Sequence, residues 1–263
     1  MIWLDPCHSS ISKSLANVSF DKNDINQLMK TEPSGQITTS MFRGILAICR
    51  LLHGKTPDYC IETGTYRGDM TAEFAQIFDC VHTIELSEKW YQFSADRLQR
   101  FSNVNCHQGD SASVIGEIIQ NINAPVLFYL DAHFAGGDTA FGEKEVPLIE
   151  EVEILVKRHQ QDIVVIDDLR LIGNSGKSGT EGDTMYPVME YDWTSISLGS
   201  IRKLIGGSFR NPWFFRNDKI IIFRKLSLLQ GVLFRILYAG VKLRDLLAAK
   251  ATVSKASREL ISC

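Results

Sequence analysis

Several short apolar runs of this chain end on acidic residues, and one of them is followed by an imidazole. Asp58–Glu62 (DYCIE) runs into Glu62-Thr63-Gly64-Thr65-Tyr66-Arg67-Gly68, and Cys80–Glu85 (CVHTIE) stops at Glu85. Val104–His107 leads to Gln108-Gly109-Asp110-Ser111, Ala124–Asp131 (APVLFYLD) to Ala132-His133, and Asp162–Asp168 (DIVVIDD) closes on two aspartates. Carboxylates brought together repel one another unless they share a proton or a cation. Oxygen donors favour Mg²⁺, so Asp131, Asp167 and Asp168 are the expected metal ligands. Beside them, Asp131 or His133 is placed to take the proton of a reacting hydroxyl. Read singly, an Asp-Asp pair caps a helix and a lone loop histidine is structural; it is their meeting at neighbouring run ends that points to chemistry.

The segment Glu62–Gly68 has the form E-x-G-x-x-x-G. Glycines there permit a tight turn and a close approach of backbone to ligand, and a helix opening after them presents free N–H groups. It is not the G-x-G-x-x-G fingerprint that seats a pyrophosphate. An acidic residue at its head suits a cationic ligand instead, and S-adenosylmethionine carries both a sulfonium and an ammonium. The expected cofactor contacts are Glu62, Thr63, Gly64, Tyr66 and Gly68, with Glu85 accepting ribose hydroxyls and Asp110 and Ser111 near the adenine. The spacing from Glu62 to Glu85 fits NAD as well as S-adenosylmethionine.

Such groups need a scaffold that aligns them. Strand-like runs alternate with helical stretches at about 69–78, 87–101, 111–122 and 145–159, which predicts an α/β fold with a mostly parallel sheet covered on both faces. In such a doubly wound, Rossmann-like sheet, ligands sit beyond the carboxyl ends of the strands. A helix is expected at about 38–53, another at 197–205, and a hairpin over 212–223 turning at Arg216-Asn217-Asp218. Three parts follow: an N-terminal lead-in and helix (1–56), the sheet domain (57–225) and a helical tail (226–263).

The chain resembles class I S-adenosylmethionine-dependent methyltransferases over about residues 57–225. ETGTYRG is similar to the first motif of macrocin O-methyltransferase-like enzymes, and YLDAH and VIDD resemble their later acidic strand ends. The resemblance implies a seven-stranded sheet whose last strand, Lys219–Phe223, is antiparallel. It also implies metal-assisted methylation of a hydroxyl on a sugar, glycosylated metabolite or glycan, with Asp131, Asp167 and Asp168 on the metal. The glycine-rich stretch 136–145 departs from the expected motif; it reads as a lid or as a wall of the acceptor site. Two other readings stand beside this one: a non-catalytic nucleoside-binding partner subunit, and an NAD-dependent oxidoreductase.

Gly173-Asn174-Ser175-Gly176-Lys177-Ser178 imitates a phosphate loop, yet Leu171 stands where its first glycine belongs. Residues 169–183 read better as a mobile loop beside the acceptor. Charge is divided unevenly: residues 1–199 hold 15 Lys+Arg and 28 Asp+Glu, residues 200–263 hold 13 and 3, so the two parts carry about −13 and +10. An acidic body argues against nucleic acid as partner. The tail, Ser227–Lys250, reads as a basic amphipathic helix suited to peripheral membrane contact or to a second copy of the chain. Six cysteines without a CxxC pair, and no signal-like or spanning run, lead to the expectation of a cytoplasmic protein.

Overall fold

The computed structural model describes residues 39–133, 145–182, 188–206, 210–216 and 218–240. The expected lead-in over 1–37, most of the glycine-rich stretch and the tail beyond residue 240 lie outside the described residues. Pro57–Gly231 forms one compact unit, and Met1–Thr56 with Val232–Cys263 forms the other.

The larger unit is built on seven strands: β1 Tyr59–Thr63, β2 Cys80–Glu85, β3 Val104–Gln108, β4 Val126–Leu130, β5 Ile163–Ile166, β8 Trp213–Arg216 and β9 Lys219–Phe223. Their order is β3-β2-β1-β4-β5-β9-β8. The first five run parallel, and β9 enters antiparallel between β5 and β8. This is the mostly parallel seven-stranded sheet with a terminal antiparallel hairpin. Strands β4, β5 and β9 are buried at every residue, which their sequences VLFYL, IVVI and KIIIF, apolar apart from Lys219 and the Tyr129 hydroxyl, anticipate.

The crossover helices of this unit are α2 Asp69–Phe74, α3 Glu88–Leu98, α4 Ser111–Ile119, α5 Leu148–Leu155 and α6 Leu198–Ile205; α1, Thr39–His53, belongs to the smaller unit. Ser87 caps α3 by accepting from the Trp90 amide, Asp110 caps α4 through Ser113, and Ser197 with Ser200 closes a reciprocal box on α6. The α5 helix is shorter than the expected 145–159. Pro147 takes its N-cap position, and a residue preceding proline is kept out of helical geometry. A seventh helix, α7, occupies 228–240. The loop expected over 169–183 is interrupted, because residues 175–178 form a strand, β6 (Ser175–Ser178), paired with β7 (Met189–Asp192) in a separate two-stranded ribbon; the rejection of a phosphate loop there stands. Lys177 and Ser178 therefore lie on a ribbon strand, where no helix N-terminus faces a phosphate.

At the amino ends of β4 and β5, the fully buried Asp162 accepts from the Val126 amide (3.1 Å), Arg158 Nε (3.1 Å) and Arg224 Nη1 (3.3 Å). The two guanidiniums also donate to the last carbonyls of neighbouring helices. Arg158 reaches Ile119, Ile122 and Ala124; Arg224 reaches Leu155 and Val156. Asp162 is thus paired with both Arg158 and Arg224, and two helix C-termini are capped as well.

Candidate functional site

The opposite rim gathers the acidic strand ends. Register pairs Thr63 with both Ile84 and Leu130, and Leu130 with Ile166, so the residues that follow share one edge. The ladder even runs on past the strands, with Asp131 N donating to Thr63 O (3.2 Å) and Asp167 N to Leu130 O (3.0 Å).

Between β1 and α2 the chain turns through Gly64 (φ 83°), Tyr66 (φ 47°) and Gly68 (φ 76°). A Cβ on Gly64 would lie 2.6 Å from the Asp131 carbonyl oxygen, and one on Gly68 would lie 2.9 Å from Leu98 Cδ1. Gly64 is therefore required twice, by backbone angle and by contact with backbone, and Gly68 by its backbone angle. Tyr66 N donates to Glu85 Oε2 (2.7 Å), and Ser87 N donates to Glu85 Oε1 (2.9 Å). Glu85 thus ties the β1 turn to the end of β2, and burial pushes its carboxyl above the ordinary range despite those donors. The Tyr66 ring lies 4.4 Å from that of Trp90, tilted by 52°, and Lys89 and Arg67 stand over the indole.

Glu62 sits beneath this turn, only 1% exposed, with Oε2 accepting from Thr71 Oγ1 (2.5 Å) and Thr83 Oγ1 (2.7 Å). Burial lifts its pKa from 4.5 to about 7. In this position it ties β1 to α2 and β2 through the two threonines. Asp110 is engaged as the α4 cap, and the Ser111 hydroxyl faces inward to Glu151.

The reactive end centres on His133. Its Nδ1 lies 3.6 Å from Asp131 Oδ1 and its Nε2 lies 3.4 Å from Asp168 Oδ2. One ligand atom from each of these three residues falls within a single 4.8 Å cluster. Burial, then the neighbouring Asp167 and Asp168, hold the Asp131 carboxyl well above the usual aspartate range. Asp168 adopts φ 53°, which turns its side chain toward this cluster, and it also pairs with Arg170.

The expected ligand set needs correction at Asp167. That carboxylate is consumed internally: it accepts from the Tyr129 hydroxyl, from Lys219 Nζ and from the Asp168 amide (2.7 Å). Lys219 is 2% exposed and opens β9, so the antiparallel strand delivers a buried cation to the acidic rim.

Sequence reasoning missed two further groups. Glu151 of α5 is 1% exposed, bonded to Ser111 and Thr63, and raised by burial to about 7. Its position on the same helical face as Leu148, Val152 and Leu155 was the available signal. Trp193 meets His133 edge-on at 5.2 Å. Together with Asp131, His133 and Asp167, these two line a recess at the ends of β4 and β5. Trp193 had no signal, because the ribbon that carries it was not foreseen.

No family model matches the chain, and no curated protein matches it. Among solved structures it is similar to SAM-bound CalS10, an amino pentose methyltransferase from Micromonospora echinaspora, with 11% identity and a TM-score of 0.45 over 79% of this chain and 98% of that one. It is also similar to the SAH-bound methyltransferase PaMTH1 of Podospora anserina, with 12% identity and a TM-score of 0.47 over 86% and 99%. An S-adenosylmethionine-dependent methyltransferase from Clostridium acetobutylicum gives 11% identity and 0.40 over 84% and 98%.

Proposed function

We propose that the chain is an S-adenosylmethionine-dependent O-methyltransferase acting on a hydroxyl of a sugar, a glycosylated metabolite or a glycan. One observation carries the reading: the carboxyl rim is crowded with buried acids and short of cations. Glu62 and Glu151 are held near 7, and Glu85 and Asp131 are displaced upward. Such a rim favours a ligand that brings positive charge, as a sulfonium and an ammonium do, and opposes the pyrophosphate of NAD. The glycine turn and the Glu85 bridge lie where the adenosine half would rest, at the switch between β1 and β4. The sugar assignment rests on the motif resemblance alone.

The same crowding fits a divalent cation at Asp131, His133 and Asp168, three donors that already converge. An imidazole among them widens the choice beyond Mg²⁺ toward Mn²⁺, Fe²⁺ or Zn²⁺. A cation bound there would hold the acceptor oxygen and lower its pKa. Where His133 does not itself ligate a cation, it is the chain's own group placed to accept the hydroxyl proton, with Asp131 beside its Nδ1 and Asp168 beside its Nε2. Asp167, neutralised by Lys219, keeps that pair of aspartates in register through the Asp168 amide. As the acceptor oxygen bonds to the methyl carbon, the carbon–sulfur bond breaks and the electron pair returns to sulfur, leaving the neutral thioether.

Isothermal titration tests the reading. S-adenosylhomocysteine is expected to bind the full chain and NAD is not. Binding of NAD without binding of the homocysteine compound would replace the transferase by an oxidoreductase. Binding of the homocysteine compound with no methyl transfer to any of a panel of hydroxylated acceptors would favour the partner subunit.

A further inference from the structure

We propose that the outward face of α7 rests on an anionic membrane surface. Of the eight large hydrophobic residues exposed among the described residues, four lie on this one helix: Leu228 (68% exposed), Leu229 (50%), Val232 (41%) and Ile236 (65%). At 3.6 residues per turn, Leu228, Val232 and Ile236 follow one stripe with Leu229 beside it, and Phe234, 2% exposed, falls on the other side. Exposed Ala239 continues the stripe, and Arg235 borders it. The helix is thus apolar on its buried side and apolar again on its outward side. This differs from the polar-backed amphipathic helix expected from sequence, and a helix apolar all round is ordinarily covered on every side. A contiguous aliphatic stripe of this kind marks a surface that meets something.

Charge selects the occupant. The stripe is bordered by Arg235, and residues 241–263 add five Lys or Arg against two acidic residues. An aliphatic stripe with basic flanks matches the boundary of an anionic leaflet, where acyl chains take the Leu, Val and Ile side chains and headgroups take the cations. A second copy of the chain would bring the same positive charges against one another. None of these residues belongs to the acidic rim, so the inference stands apart from the proposed activity.

Co-sedimentation of the full chain with vesicles tests it. The chain is expected to pellet with phosphatidylcholine vesicles containing phosphatidylserine, more weakly with phosphatidylcholine alone, and less as salt rises. Replacing Leu229→Glu and Ile236→Glu together is expected to lower partitioning by roughly tenfold or more, since binding scales with the apolar area inserted. Val232→Ser, a milder change, should give a smaller loss with unchanged circular dichroism. No pelleting at low salt, equal pelleting with both vesicle types, or pelleting untouched by all these substitutions would overturn the proposal. So would a concentration-dependent dimer in sedimentation that the double substitution dissociates, which would assign the face to a second copy.

Discussion

The two ends of the sheet hold buried charge in opposite ways. At the amino ends of β4 and β5, one carboxylate, Asp162, meets two guanidiniums whose remaining donors cap helix carbonyls. At the carboxyl ends, Asp167 pairs with Lys219 and Asp168 with the exposed Arg170, while Asp131, Glu62, Glu85 and Glu151 crowd the same rim. The first arrangement is closed and gives a ligand nothing to do. The second leaves Glu62, Glu85, Asp131 and Glu151 above their ordinary pKa range, a standing cost that a positively charged guest would relieve. Acids in excess of their partners therefore set the carboxyl end of the sheet, where the proposed ligand would sit, apart from a balanced amino end.

The sharpest way to break this comparison is to remove Asp162. Asp162→Ala strands two buried guanidiniums and uncaps their carbonyl contacts, so a loss of about 3–5 kcal/mol is expected in chemical denaturation. A loss near zero would mean that the closed end contributes little, and the contrast would collapse. At the other end, His133→Ala should leave stability nearly unchanged while slowing methyl transfer by about 10²- to 10⁴-fold, the range for a positioned proton acceptor. Homocysteine-compound affinity should persist, because His133 lies outside the β1 turn. A variant that transfers at the normal rate would remove His133 from the chemistry.

A smaller effect, and a more diagnostic one, concerns pH. The Glu151 carboxyl titrates near 7 in the fold against 4.5 for the free side chain. The folded protein therefore keeps a proton that the unfolded chain has lost, and stability falls as pH rises from about 4.5 to 7, then levels off. The cost above pH 7 is about 3 kcal/mol at most, from 1.36 kcal/mol per unit of displacement. Glu151→Gln should abolish that share, so the stability difference between variant and wild type should grow across this window. A difference that stays flat with pH would show Glu151 to be ordinary.

Much of this was legible in the residues. Runs such as CVHTIE and APVLFYLD end on polar groups, and that pattern marks strands and their carboxyl ends without any structure. Asp131, His133, Asp167 and Asp168 all stand out this way; Asp131, His133 and Asp168 come together in one cluster, whereas Asp167 is engaged by Lys219 and Tyr129. What stayed hidden depends on contacts distant in sequence. Nothing near Asp167 reveals that Lys219, some fifty residues later, will neutralise it, although a lysine opening KIIIF is an odd start for a buried strand. Glu62 read as a contact residue because its place in the motif is plain; its threonine cage comes from Thr71 and Thr83 on two other elements. The β6–β7 ribbon escaped because SGKS and MEYD are short, polar and exposed, and their pairing spans residues with no periodic signal.

The reversed strand β9 also has a bearing on how the protein is made. Lys219 is contributed by the last strand of the sheet, so a nascent chain that has emerged only as far as β5 already carries Asp131, Asp167 and Asp168 but not the ammonium that balances them. During synthesis the parallel half of the sheet can pair early. Its acidic rim becomes electrically complete only when the final hairpin leaves the ribosome and slides in beside β5.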